Sequence, residues 1–259
     1  MNILNIVNGI IENNIDSSIT CTNNKKKNIK IGINNNIDFC LYVENKDSIE
    51  KININVDKSL DVRIFLILKI ENKLDIEINV LENSKLLLNK FTHAKDLEED
   101  INVYLKGINS EIEYYHSCLG NIKENLNIYH ESKKTNSIVK NYGISNNEIQ
   151  EFNITEKVEK GKTNCKLSQK SKIINLGNNK STIRPILLID EKEVSAFHSS
   201  VISPINKSDL FYLMSRGITE ENSIRLLTNG FLINNLNLKE NEKHLLYEKY
   251  IFRRWEYGH

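Results

Sequence analysis

The sequence predicts an all-β body with a helical cap: a β-solenoid over most of the chain, then a small C-terminal α-helical domain. Three observations carry that expectation. Apolar and polar residues alternate with a period of two through about the first two hundred positions, the signature of strands buried on one face. Turn residues are scarce, with 10 Gly and 2 Pro in 259 residues. A sandwich built from hairpins usually needs more of both, whereas a solenoid can turn its corners on Asn in left-handed backbone conformations. Beyond residue 203 the apolar period lengthens to that of a helix.

Roughly the first 45 residues carry the weakest pattern. In "VRIFLILKI", Val62, Ile64, Leu66, Leu68 and Ile70 share one face of a strand. In "LDIEINV", Leu74, Ile76, Ile78 and Val80 oppose Asp75, Glu77 and Asn79. Further short strands are expected at 101–107, 111–118, 126–130, 136–144 and 150–158, separated by polar turns such as "GINS". Residues 1–203 are therefore assigned to the solenoid core and 204–259 to the helical domain. There, Ser208 is expected to cap "DLFYLMSR", with Asp209 at the positive helix end and Gly217 as the stop. A second helix is expected from Thr219 as N-cap, with Glu220 and Glu221 in its first turn. Ile224, Leu227 and Phe231 form its apolar side, and Gly230 ends it. A third is expected across "KENEKHLLYEKYIFRRW", where Leu246, Tyr247, Tyr250, Ile251 and Trp255 recur at helical spacing. These helices carry more apolar surface than a small three-helix group buries by itself, so they are expected to dock, on the solenoid end or on a partner.

Composition excludes several classes. With 35 basic and 34 acidic residues the formal net charge is +1, which argues against a broad phosphate-neutralising surface and hence against nucleic acid. No apolar run approaches the roughly 18 residues of a membrane helix. Cys21, Cys40, Cys118 and Cys165 stand singly, without a CxxC pair. The start "MNILNIVNGIIENN" lacks the basic and apolar regions of a signal peptide, so reduced thiols and a cytoplasmic location are expected. There is no GxSxG, Walker A run or HExxH, and the expectation is a non-enzyme. A carbohydrate-active β-helix enzyme is the alternative of another class. Such enzymes usually line one face with clustered Asp, Lys and Arg, and no such cluster recurs here at a turn spacing. A purely structural solenoid is a further alternative.

One block stands apart from the Ile/Asn texture. It comprises Pro185-Ile186-Leu187-Leu188-Ile189, Glu193-Val194, His198, then Leu210-Phe211-Tyr212-Leu213, Ser215-Arg216-Gly217-Ile218 and Asn229-Gly230-Phe231. It resembles the signature of the SufB/SufD scaffold proteins of the SUF iron–sulfur cluster assembly system. That signature is a strand ending "P-x-L-x-I…dV-x-x-x-H", then "LFYL-x-SRGI" and a helix ending "NGF". The segments "HESKKTNS" (130–137) and "VEKGKTN" (158–164) are also similar to the family. The resemblance is specific over about residues 100–233. It implies a right-handed parallel β-helix with a C-terminal helical domain, in line with the pattern.

Where the SufB branch carries a cysteine thought to receive sulfur, this chain has Lys170. Where that branch places Glu directly after the histidine, this chain has Ser199, and family glycines are replaced by Ser199 and Ser203. The SufD branch keeps the histidine without the Cys/Glu pair, so the chain resembles SufD. Beside full-size members it reads as shortened and drifted, without their long N-terminal region.

The resemblance implies a scaffold that pairs with a SufB-like paralogue, or with itself in a reduced two-component system, and that docks a SUF-type ABC ATPase. The docking block is Leu210, Phe211, Tyr212, Arg216 and Gly217. An iron–sulfur cluster would be held transiently and shared with the partner. His198 is the cluster or metal candidate, at the interface between paired scaffolds, because a neutral imidazole can ligate iron. A lone strand histidine is otherwise more often structural. Cys118 and His116 share a strand face, and His130 falls in phase with Leu126 and Ile128. Stacked turns could bring these together as soft-metal ligands, although a buried Cys is commonly a small hydrophobe. Cys165, flanked by Lys162 and Lys166, is the one stand-in for the missing family thiol.

Overall fold

The computed structural model describes residues 2–8, 10–12, 17–24, 27–45 and 49–248. The strands are β1 (Asn2–Val7), β2 (Ile10–Ile11), β3 (Ile19–Asn24), β4 (Asn28–Ile33), β5 (Ile37–Asn45), β6 (Lys51–Val56), β7 (Asp61–Ile70) and β8 (Asn72–Val80). They continue as β9 (Lys85–Leu105), β10 (Glu111–His130), β11 (Asn136–Ser145), β12 (Gln150–Val158), β13 (Cys165–Asn175), β14 (Thr182–Ile189) and β15 (Val194–Ser203). Three helices follow: α1 (Lys207–Ser215), α2 (Glu220–Asn235) and α3 (Glu240–Leu246). The predicted solenoid is what forms, a parallel β-solenoid of about seven turns with three C-terminal helices.

Each turn contributes two strand segments. One sheet stacks β5, β7, the first half of β9, the first half of β10, β11, β13 and β15 in parallel register. The other stacks β4, β6, β8, the second halves of β9 and β10, β12 and β14. The two-residue period places alternate side chains between the sheets, where Ile, Leu and Val form one continuous core.

The corners explain the asparagine bias. Ser59, Asn83, Asn109, Lys134 and Asn164 all have φ between 56 and 61°, a conformation Asn tolerates better than most residues. Each donates its backbone N–H to a carbonyl of the next turn, respectively Glu82, Ile108, Lys133, Thr163 and Glu193. The opposite corner is handled differently. The sequence reads 111–118 and 126–130 as separate strands, yet β10 runs through both, bent by a register shift at Gly120/Asn121. Gly120 has φ 101°, and a Cβ there would lie 1.6 Å from the Ala94 carbonyl oxygen, so glycine is required. β13 is a strand that the alternation reading did not single out.

The two ends differ. At the N-terminal end β2 and β3 run antiparallel to β1 and β4. At the C-terminal end β14 and β15 each have one strand neighbour among the described residues, leaving their outer edges open.

The helices fold back over the outer face of the β15 sheet. Leu232, Leu236, Leu238 and Leu246 pack against Cys40, Phe65, Ile67, Phe91, Tyr115, Leu119 and Ile144. The apolar surface of α2 and α3 thus goes into the protein's own solenoid. Arg63 fastens the far end, 2.9 Å from Asp38 and 2.5 Å from Glu242, while donating to the Asn237 carbonyl. Helix α1 buries no residue. Two cap expectations are corrected. Asn206, not Ser208, caps α1, because its side chain accepts from the Ser208 N–H. Gly230 does not end α2, which continues to Asn235 because Leu232 and Asn235 are buried against the sheet. Thr219 does cap α2, and Gly217, at φ 85°, follows α1 with the paired Gly217→Met214 and Ile218→Leu213 bonds of a Schellman stop. Tyr250, Ile251 and Trp255 lie outside the described residues.

Candidate functional site

In-register stacking turns each inward position into a column along the solenoid axis. One column reads Leu41, Leu66, Lys90, His116, Asn141, Ser171 and Ser200, each the register partner of the next. A neighbouring column reads Ile64, Leu88, Tyr114, Val139, Gln169 and His198. These two columns are thus aliphatic through the early turns and carry mostly polar side chains from Lys90 onward, beside an apolar core that continues to Ile173, and they run to the open end where His198 lies.

The polar core begins with a buried ion cluster. Lys90 Nζ lies 2.5 Å from Glu99 and 3.0 Å from Glu124, all three fully buried. The Tyr114 hydroxyl donates to Glu124 at 2.8 Å, and Asn141 Nδ2 donates to its other oxygen at 2.5 Å. His116 Nδ1 is 2.7 Å from Glu124 but off line for a hydrogen bond, and its Nε2 is 3.0 Å from the Thr92 hydroxyl. Burial alone would push Glu124 up, but His116 and Lys90 outweigh it and hold the carboxyl well below its usual range. Burial would likewise lower Lys90, and the Glu99 and Glu124 carboxylates raise it instead. Glu99, His116 and Glu124 offer ligand atoms within 4.8 Å of one another, a donor set suited to a divalent cation. The Lys90 ammonium sits among them and supplies the positive charge. Cys118 is in a separate inward column, outside that donor set, and burial drives its thiol well above the ordinary value.

A second cluster sits at the corner where β10 and β12 end and β13 begins. His130 Nδ1 is 2.7 Å from the Thr135 hydroxyl, and its Nε2 is 3.2 Å from Glu156. Ser137 donates to the same carboxylate oxygen. The Thr135 hydroxyl is in turn 3.2 Å from Cys165 Sγ. The structure therefore joins His130 and Cys165, two candidates read separately in the sequence, and adds Glu156, Thr135 and Ser137, which were missed.

At the open end the His198 side chain is exposed and, among the described residues, makes no hydrogen bond or ion pair. Its register partner is Gln169, and Lys170 and Ser199 are register partners beside it. The two family positions that have changed are thus adjacent across β13 and β15. Phe197, Val201, Ile186 and Leu188 on these last strands are exposed apolar residues. On α1, Phe211 is 74% exposed and Tyr212 56%. Arg216 lies over the Tyr212 ring at 5.3 Å, Leu210 is half-buried, and Gly217 is exposed. Several acids of the uncovered outer face pair with lysines of neighbouring turns, as in Lys51–Glu77, Lys73–Asp100 and Lys123–Glu98.

The fold is thus a two-sided parallel β-solenoid with polar columns running toward one open end and one face covered by its own helices. The family description "SUF system FeS cluster assembly, SufBD core domain" matches residues 72–231, and the chain belongs to that family. The iron–sulfur cluster assembly protein SufD of Bacillus subtilis is 32% identical over 124 residues, covering 46% of this chain and 28% of that protein. A SufBD family protein of Pyrococcus horikoshii is 45% identical over 47 residues, 18% of this chain and 10% of that protein. One from Mycobacterium bovis is 36% identical over 53 residues, 20% of this chain and 6% of that protein. The matches therefore span only part of these relatives. Among the described residues, no helix is long and apolar enough to cross a membrane.

Proposed function

We propose that this chain is a non-catalytic, cytoplasmic scaffold subunit of iron–sulfur cluster assembly, pairing end to end with a second β-helix protein and docking a SUF-type ABC ATPase. The observation that carries the reading is the open C-terminal end, where, among the described residues, two strand edges have no strand partner and exposed apolar residues lie on the same last strands as the exposed His198. Open strand edges of this kind invite a partner strand. The cluster is cargo. One imidazole cannot hold it, since iron–sulfur sites ordinarily use several thiolate or imidazole ligands. The remaining ligands come from the partner, a SufB-like chain bearing the cysteine that Lys170 replaces here, or a second copy. The bare, apolar face of α1 and its Schellman stop support ATPase docking through Leu210, Phe211, Tyr212, Arg216 and Gly217.

The test is co-purification of the native complex followed by anaerobic reconstitution of wild type and His198→Ala. Expected are little cluster on the isolated chain, full cluster on the complex, and a several-fold loss in His198→Ala with assembly intact. Equal cluster yield would return His198 to a structural role. Loss of assembly alone would make it an interface residue only. Recovery of a homodimer would identify the self-paired system.

A further inference from the structure

The corner cluster contains a nucleophile with its base, and the scaffold reading makes no use of it. Cys165 Sγ, Thr135 Oγ1, His130 and the Glu156 carboxylate stand in one line, each within hydrogen-bond distance of the next, assembled from β13, the β10–β11 corner, β10 and β12; the single Thr135 proton can be given to Sγ or to His130 Nδ1. Glu156 accepts from His130 Nε2–H and from Ser137, which leaves Nδ1 to accept from Thr135. The other oxygen of this buried carboxylate, Oε1, has no hydrogen-bond partner among the described residues. Beside His130 lies a cavity of about 240 Å³, lined also by Tyr129, Glu131, Lys157, Glu159 and Lys162.

We propose that Cys165 is a base-assisted thiol that exchanges with small disulfides, and hence a covalent modification site on the solenoid corner. In the resting thiol, S–H points to the Lys162 carbonyl at 3.1 Å. On activation the sulfur proton passes to Thr135 Oγ1 as the Thr135 hydroxyl proton passes to His130 Nδ1. This leaves a thiolate that accepts from Thr135 and an imidazolium held by Glu156. The thiolate attacks one sulfur of the disulfide. A new S–S bond forms at Cys165, the old S–S bond breaks, and the leaving thiolate takes the proton back from His130 through Thr135. No other oxidant is required.

The electrostatics run the same way. Burial would push the Cys165 thiol up, but the bonds from His130 and Thr135 outweigh it and hold it below the ordinary value. Burial would lower His130, and its contacts with Cys165 and Glu156 raise it instead. The other groups facing the cluster are Lys162, Lys157, Glu159 and Glu131 at the cavity, two of each sign. Cys21 is the internal control. It is half-exposed, yet burial pushes its thiol up to about 11. Cys165 is only 1% exposed, so the exposed corner around Gly161 must open for exchange to occur.

The experiment treats the full chain with limiting hydroxyethyl disulfide, quenches in acid and maps mixed disulfides by peptide mass. At pH 7, Cys165 is expected to modify at least tenfold faster than Cys21, with Cys40 and Cys118 silent. The pH–rate curve of Cys165 should inflect below the ordinary thiol value near 8.5. Glu156→Gln and Thr135→Val should slow Cys165 about tenfold while leaving Cys21 within twofold. Modification of Cys21 ahead of Cys165, or a Cys165 curve at the ordinary thiol value, would overturn the proposal. The wild-type curve decides even where a variant fails to fold. The result is independent of whether the chain assembles clusters.

Discussion

A single buried lysine changes the character of the solenoid interior. Lys90 takes a position that Leu66 fills one turn earlier, and its ammonium is the near neighbour of two fully buried carboxylates. Replacing one partner of such a cluster leaves the others buried and uncompensated. Lys90→Met, similar in volume, should therefore lower stability by about 3–5 kcal/mol in urea unfolding at pH 7. The sign with pH follows from Glu124. Its folded pKa is depressed, so its contribution is present above the unfolded carboxylate value near 4.3 and is lost as pH falls through the folded value. In Lys90→Met one depressing charge is gone and burial raises the carboxyls, so the deficit relative to wild type should be largest at neutral pH and narrow on acidification. A deficit that does not vary with pH would mean the loss is one of packing. This cluster was legible in principle. Lys90, Glu99 and Glu124 each occupy the apolar phase of a strand, as Glu99 does between Leu97 and Ile101. Alternation reports only which residues turn inward. It says nothing of which inward residues from different turns meet, because that depends on turn length.

Among the elements, strands were the most legible, since a half-buried strand needs alternation and nothing else, and β7, β8, β11 and β12 appear where the pattern placed them. The bend inside β10 was not, because it depends on the close approach of Gly120 to Ala94, a contact between neighbouring turns. The fate of the helices was ambiguous for a related reason, as an amphipathic face has no address written in it. Here α2 and α3 cover the solenoid while α1 packs on α2 and has no buried residue of its own, so among the helices the docking function falls to α1. Phe211→Ala together with Tyr212→Ala should weaken a pull-down of the SUF-type ATPase at least tenfold, about 1.4 kcal/mol or more, without lowering the melting temperature. Both side chains are exposed, so a fall in melting temperature would place them in the fold instead. Unchanged binding would remove α1 from the ATPase interface.

At the scale of the whole molecule, the helical domain is fastened to the solenoid at its far end by Arg63, which is largely buried against Asp38 and the fully covered Glu242. Arg63→Met strands the Glu242 carboxylate beneath α3, so α3 should lose amide-exchange protection by about two orders of magnitude, roughly 3 kcal/mol, while the solenoid strands keep theirs. Uniform loss across both would mean that helices and solenoid unfold as one unit. The two ends of the solenoid also limit how such molecules can combine. A stack of parallel turns has no intrinsic length, and identical ends would let copies add without limit. Here β2 and β3 run antiparallel at one end and offer the wrong hydrogen-bond spacing to another parallel turn, while β14 and β15 leave the other end receptive. Two molecules meeting receptive end to receptive end, about a two-fold axis, would use up both. An assembly built in that way would stop at two, and its junction would take side chains from both halves.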